Sequence, residues 1–222
     1  NSTVIEVSLG GLELEAQVDT QFCVTGAPLP LTINGEARPL WCTHSVKPGD
    51  RVRLGYASSG VRAYFGVKGG FKIPPQFGST ATVVREGIGG LKGKALQKGD
   101  SLPAQVTMSS RHAKLLEQDI PGYSRNIRLR TLLGYQYRDF SREQKLALFS
   151  SEFIVSKQWD RMGYRLQGQQ NGKVLTHEQT DLLSEAIALG AIQIPPDGQP
   201  IVMLNDRQTL GGYPKIGSVL SL

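Results

Sequence analysis

The sequence predicts a mainly β fold built as closed or partly closed barrels, and three observations carry that expectation. Short apolar runs alternate with period two, as half-buried strands require. Turn residues separate them: the 222 residues include 26 Gly and 12 Pro, which supply positive or fixed φ between runs. One segment alone combines a helix-start signal with an apolar helical face. A chain of this length holds one large β domain or two smaller ones, and more than one barrel is expected.

In order, the first strands read "VIEVSLGG", "LELEAQV" and "QFCVTGA". "LTINGEARPL" follows, where Asn34-Gly35 is the strongest short hairpin signal. "DRVRLGY" and "VRAYFGV" then alternate with period two. Two Gly-Asp pairs each launch an apolar-alternating stretch, "KPGDRVRL" and "KGDSLPA". In both, Gly permits positive φ and Asp bonds nearby backbone. Pro121-Gly122 interrupts the pattern and sets the expected boundary between a first subdomain, 1–122, and a second, 123–222. "NIRLRTLL" alternates basic with apolar residues, as a strand with a solvated face does. In "FSREQKLALFSS", Ser141 and Gln144 form a capping box, and Ala147, Leu148 and Phe149 supply an apolar face for one short helix. "SEFIVS", "GYRLQG", "GAIQIPP", "PIVMLN" and "KIGSVL" return to strands. No repeat marks a propeller or solenoid.

Composition excludes several classes. The 39% hydrophobic content fills a sizeable core, and no apolar run reaches the length of a bilayer crossing, so no membrane association is expected. Cys23 and Cys42 are too few for a disulfide framework. They read as buried free thiols in a reducing, cytoplasmic setting. The chain opens without Met or a signal peptide, as a fragment or processed product does, and the sequon Asn1-Ser2-Thr3 reads as chance. The net charge is +6. Its densest cluster is Arg111, Lys114, Arg125, Arg128, Arg130, Arg138, Arg142 and Lys145. No recognition helix or aromatic RNA signature accompanies it, so the cluster reads first as a solvated face, second as a site for an acidic partner or anionic substrate, and not as a nucleic-acid surface.

"EGIGGLKGKAL" fails both phosphate-loop patterns. Ile88 stands at the first Walker glycine, Ala95 at the Ser/Thr position, and Lys92 at the last glycine of the dinucleotide fingerprint. A flexible loop at a pocket rim is expected instead. His44, His112 and His177 lack metal-ligand spacing, and no Gly-x-Ser-x-Gly elbow is present.

Two stretches carry more polar specificity than a fold requires. In "WDRMGYRLQG", Gly163 allows close backbone approach. Arg161 or Arg165 either clamps a carboxylate or phosphate bidentately, or Arg161 braces a loop through carbonyls. In "IVMLNDRQTLGGYPK", a strand ending at Leu204 delivers Asn205, Asp206, Gln208 and Thr209 to a loop. These donors and acceptors suit a planar amide, ureide or carboxylate, and Gly211-Gly212 offers backbone N–H groups. A loop stabilised by its own Asx turns is the competing reading.

On these residues the chain resembles the biotin-dependent carboxyltransferase / allophanate hydrolase subunit 2 family, which includes Kip-type antagonists and the C component of bacterial 5-oxoprolinase. "SKQWDRMGYRLQG" and "GAIQIPPDGQPIVMLNDRQTLGGYPKIGSV" carry the resemblance, with "VIEVSLGG", "AYFGVKGGFKIPPQFGS" and "GIGGLKGKALQKGDSLP". It implies two cyclophilin-like β-barrel subdomains with few short helices, and two partner chains, a Kip-inhibitor-like (KipI-like) B component and a further A component. The implied chemistry is cleavage of 5-oxoproline to glutamate with ATP handled through the complex. The alternatives are carboxyl transfer from carboxybiotin on a partner carrier to urea, or a non-catalytic antagonist of the Kip inhibitor.

The resemblance places Asp206 and Arg161 as catalytic, with Gln208, Thr209, Tyr213, Lys215, Tyr164, Gly163 and Gly212 binding a small amide or ureide. The family's Gln-Asp-x-Gly-Arg segment before this start, and a strand region beyond this end, are not in the sequence. The first barrel is therefore expected to lack its N-terminal part and the second its last strand region. Ala81, Val83 and Leu210 stand where polar residues are usual.

Overall fold

The structure, a computed structural model, describes residues 2–107, 111–168 and 182–220. His177 lies outside the described residues, as does Asn1 of the sequon. The fold is mainly β, and the chain divides into two compact units, Asn1–Ile127 and Arg128–Leu222.

Among the described residues, unit 1 holds eight strands: β1 (Ile5–Ser8), β2 (Glu13–Glu15), β3 (Thr20–Gly26), β4 (Leu31–Ile33), β5 (Glu36–Arg38), β6 (Thr43–Val46), β7 (Arg51–Leu54) and β8 (Arg62–Val67). They form two antiparallel sheets, β1-β8-β3-β6 and β2-β7-β4-β5. Alternation decides which side chains enter the core: along β7 Val52 and Leu54 are buried while Arg51 and Arg53 are exposed. One cluster joins the two sheets, with Val7, Phe22, Val24 and Phe65 from the first and Leu31, Ile33, Val52 and Leu54 from the second. Each such fully buried side chain contributes about 1.5–3 kcal/mol. Asn34 and Gly35, with φ of 52° and 87°, make the expected two-residue turn between β4 and β5.

Unit 2 holds β9 (Thr131–Leu133), helix α1 (Arg142–Ser150), β10 (Phe153–Trp159), β11 (Gly163–Gly168), β12 (Glu185–Ala186), β13 (Ala191–Gln193), β14 (Ile201–Met203), β15 (Leu210–Gly211) and β16 (Lys215–Val219). The main sheet runs β10-β11-β14-β13-β16-β9, and β12 pairs with β15 apart from it. The α1 capping box is formed: Ser141 Oγ accepts from Gln144 N at 3.2 Å, and Gln144 Oε1 accepts from Ser141 N at 2.8 Å.

Several local expectations are corrected. "KPGDRVRL" launches β7, with Asp50 Oδ2 accepting from Lys47 N at 2.8 Å. "KGDSLPA" makes the same turn, Asp100 Oδ2 accepting from Gln97 N at 2.6 Å, but its described residues form no strand. The alternating "NIRLRTLL" yields only β9; Ile127 and Leu129 are exposed, as Arg128 and Arg130 are, because no described sheet covers that segment. Of the apolar face assigned to α1, only Leu148 is buried. Three consecutive residues span some 200° of a helix and cannot all face one core.

Candidate functional site

Period-two alternation gives the main sheet of unit 2 two unlike faces. On one, Ile192, Ile194, Val202 and Ile216 pack with Phe140 and Leu148 into the core. On the other, register sets Arg165 opposite Ile201, Ile201 opposite Gln193, and Gly163 opposite Met203. These five residues form the floor of a cleft of about 390 Å³, whose lining also includes Gln158, Trp159, Gln208 and Tyr213.

The floor depends on local features of the strands. A Cβ at Gly163 would lie 2.9 Å from Ile201 Cγ2 and 3.1 Å from Val202 O, so only glycine lets β11 sit this close to β14. Asp160 Oδ1 accepts from Met162 N and Gly163 N at 2.7 and 3.2 Å, fixing the turn into β11. Between Ile192 and Gln193 the pairing with β16 slips by one residue, a bulge whose extra residue is Ile216 on β16, while pairing with Ile201 of β14 keeps Gln193 on the cleft face. Gln193 is 1% exposed, and its Nε2 has no hydrogen-bond partner among the described residues.

The expected site residues separate into three groups. Gly163, Gln208 and Tyr213 line the cleft. Arg161 and Asp206 are brought together, but by each other: Nε meets Oδ2 at 2.7 Å and Nη2 meets Oδ1 at 3.1 Å. The backbone reinforces this clamp, with Asp206 N donating to Arg161 O at 2.9 Å and Leu204 N to Met162 O at 2.8 Å. Arg207 braces the same loop through carbonyls, its Nε donating to Ile187 O at 2.8 Å and its Nη1 to Leu204 O at 3.2 Å.

The third group is not in the cleft lining, although Lys215 on β16 stands opposite Gln193 in the sheet. Tyr164 stacks edge-on with Trp159 at 6.1 Å. Thr209 O accepts from Ile187 N at 3.0 Å, and Gly212 comes beside Leu182 O. Lys215 Nζ pairs with Glu185 Oε2 at 2.9 Å, and Tyr135 donates to the same oxygen. The Tyr135 hydrogen bond, then that from Lys215, holds the Glu185 carboxyl below its ordinary value, while Glu185 raises the Tyr135 phenol.

The glycine-rich loop of unit 1 turns inward. Gly89 N donates to Gln76 Oε1 at 2.9 Å, Gly90 N to Thr80 O at 3.2 Å, and Gly93 N to Gly89 O at 2.8 Å. With these N–H groups engaged, the loop does not fit a nucleotide's phosphates. Val83 serves it through a backbone bridge to Ile88, and Ala81 through its carbonyl against Gly89, so the unusual side chains at 81 and 83 leave its frame intact. Leu210 likewise acts by pairing with Ala186. Cys23 and Cys42 are free thiols. Burial, then the nearby Cys42, raises the Cys23 thiol.

Sequence reasoning passed over Gln193, Gln158 and Trp159. The signal for Gln193 was a lone amide inside "AIQIP", a polar residue where a strand is apolar on both sides.

A family model described as carboxyltransferase domain, subdomain A and B, matches residues 1–222. The C component of Escherichia coli K12 5-oxoprolinase is 38% identical over 221 residues, covering 99% of this chain and 69% of that protein. Its counterpart, the C component of Haemophilus influenzae 5-oxoprolinase, is 36% identical, with the same coverage. Among solved structures, the K. lactis urea amidolyase aligns with a TM-score of 0.85 at 26% identity, covering 99% of this chain and 14% of that one.

Proposed function

The chain belongs to the carboxyltransferase domain family, and from that premise we propose that it is one component of a cytoplasmic 5-oxoprolinase-type complex, binding a cyclic amide while ATP is handled by partner chains. The supporting observation is the composition of the cleft. Its lining offers three neutral amides, Gln158, Gln193 and Gln208, the Arg165 guanidinium, and the Asp160 carboxylate, whose Oδ1 is engaged by Met162 N and Gly163 N. Among the described residues it includes no Ser, Cys, His or Lys. Such a lining binds and orients a small polar ligand, through hydrogen bonds to a planar amide and charge for a carboxylate. Among the described residues it brings no hydroxyl of Ser, thiol, imidazole or amine nucleophile, which fits a chain that needs a Kip-inhibitor-like B component and a further A component.

In this reading Arg161 and Asp206 fix the 204–209 loop over the cleft, and Tyr213 closes one side. The N–H groups of Gly89, Gly90 and Gly93 are already engaged within the glycine-rich loop, so no ATP step is assigned to it. The likeness to urea amidolyase supports a second reading, carboxyl transfer. There the cleft amides would hold the ureido ring of a partner-borne biotin, which supplies an activated carboxyl group when bound.

The test is 5-oxoproline-dependent ATP hydrolysis by the reconstituted complex. Omitting this chain should abolish it, and Asp206→Ala should reduce it. Turnover independent of this chain refutes the reading. Urea-dependent use of a carboxylated carrier would install the second. Tight binding to the Kip-inhibitor-like protein without any turnover would instead make the chain an antagonist.

A further inference from the structure

The buried glutamines of this protein are not alike. Gln21 donates to Ser45 Oγ at 3.3 Å and to Arg111 O at 3.2 Å. Gln136 Oε1 accepts from Lys215 N at 2.6 Å, tying the 3₁₀ turn Tyr135–Asp139 to β16. Both amides serve the fold. Gln193 Nε2 is equally buried and has no such partner among the described residues. A buried donor left unpaired destabilises the folded state, so a residue of this kind needs a reason outside the fold.

Its placement supplies one. Gln193 stands on the cleft face, in one row with Ile201 and Arg165 across three strands. Its pairing opposite Ile201 sets it on that face, and Gly211 leaves room above it. A Cβ at Gly211 would come within 2.9 Å of Gln193 Nε2 and 3.2 Å of Gln208 Nε2. Two amides therefore converge beneath a residue with no side chain. Ile201 and Met203 give the floor between the two ends an apolar surface, and Arg165, held by Asp197 at 2.6 Å, stands at the other end.

We propose that Gln193, with Gln208, is the specificity-determining end of the cleft and donates through Nε2 to the carbonyl oxygen of a planar cyclic amide or ureide. This rests on the reading of the cleft as the substrate site. The flat, apolar floor takes the ring, and Arg165 takes a carboxylate on it. A ring of the same shape without the amide leaves Gln193 as unpaired as it is in the free protein, so the site discriminates against it.

The experiment follows Trp159, a cleft residue, by fluorescence in a Trp41→Phe background. Three probes, each a five-membered ring bearing a carboxylate, are titrated: 5-oxoproline, 2-oxoimidazolidine-4-carboxylate and cyclopentanecarboxylate. An amide-bearing ring should bind about 10-fold more tightly than the carbocycle. Preference between the first two separates a lactam from a ureide source. Gln193→Met, close in volume, should remove that preference while leaving the urea denaturation midpoint unchanged or raised. Gln136→Met should do the reverse, lowering the midpoint and keeping the preference. Undiminished amide preference in Gln193→Met overturns the inference and leaves the cleft as the substrate site. Equal binding of carbocycle and lactam reduces the cleft to a carboxylate site and also overturns it. If no probe reaches the cleft, both the inference and the functional reading fail.

Discussion

The Arg161–Asp206 clamp is open to a double-mutant cycle, with Asp206→Ala, Arg161→Ala and the double variant. The pair is bidentate at 2.7 and 3.1 Å, with the guanidinium 33% exposed and the carboxylate 17%. An exposed ion pair is worth ~0.2–1 kcal/mol, and removing one partner of a buried pair costs ~3–5 kcal/mol. This half-buried pair falls between, at about 2 kcal/mol of coupling. The value goes no higher because Asp206 N and Leu204 N still hold the loop to the Arg161 and Met162 carbonyls just before β11. About 2 kcal/mol is roughly a 30-fold change in the folding equilibrium. Urea denaturation followed at Trp159, with Trp41 replaced by Phe, reads unit 2. Because neither residue lines the cleft, the two single variants and the double should lose 5-oxoproline-dependent turnover to the same extent, as one unit. Coupling below about 0.5 kcal/mol, together with turnover abolished in Asp206→Ala alone, would refute the clamp and return Asp206 to direct contact with substrate.

Gly163→Ala forces a methyl to 2.9 Å from Ile201 Cγ2, so β11 and β14 must part. A loss of about 1–3 kcal/mol in unit 2, read by denaturation, is expected together with weaker ligand binding. Ser141→Ala removes half of the α1 capping box and should cost about 1 kcal/mol, with no effect on the cleft. Glu185 should impose an acid limit on unit 2. Its folded value is depressed by Tyr135 and Lys215 from the ordinary 4.5. Its stabilising effect is therefore full above 4.5 and falls away as pH drops through the folded value. Glu185→Gln should flatten that acid limb in a pH series of denaturation midpoints.

Much of the fold could be read before the coordinates, because period-two alternation and turn chemistry are local. Asn34-Gly35, Gly49-Asp50 and the Ser141–Gln144 box each act within four residues, and all three form as expected. What failed was alternation without a covering layer. "NIRLRTLL" has the pattern of a strand, yet Ile127 and Leu129 are exposed, because burial depends on what lies opposite, which no window of sequence records. The β16 bulge opposite Gln193 and the β12–β15 pair were invisible for the same reason: each is a relation between segments distant in the chain.

The site shows a related asymmetry. Sequence reading favoured the conspicuous polar loop, and most of that polarity is turned inward. Asp206 holds Arg161, Arg207 holds Ile187 and Leu204, and Lys215 holds Glu185. A polar loop laid beside a sheet with few polar side chains has to satisfy most of its own donors and acceptors. Dense polarity in such a loop is thus evidence of bracing as much as of binding. The groups left for a ligand are those the loop cannot reach or the strand turns away from it, and here these are Gln193 and its neighbours on the sheet face. A polar residue isolated in an apolar strand was the stronger pointer to chemistry than the run of polar residues after it.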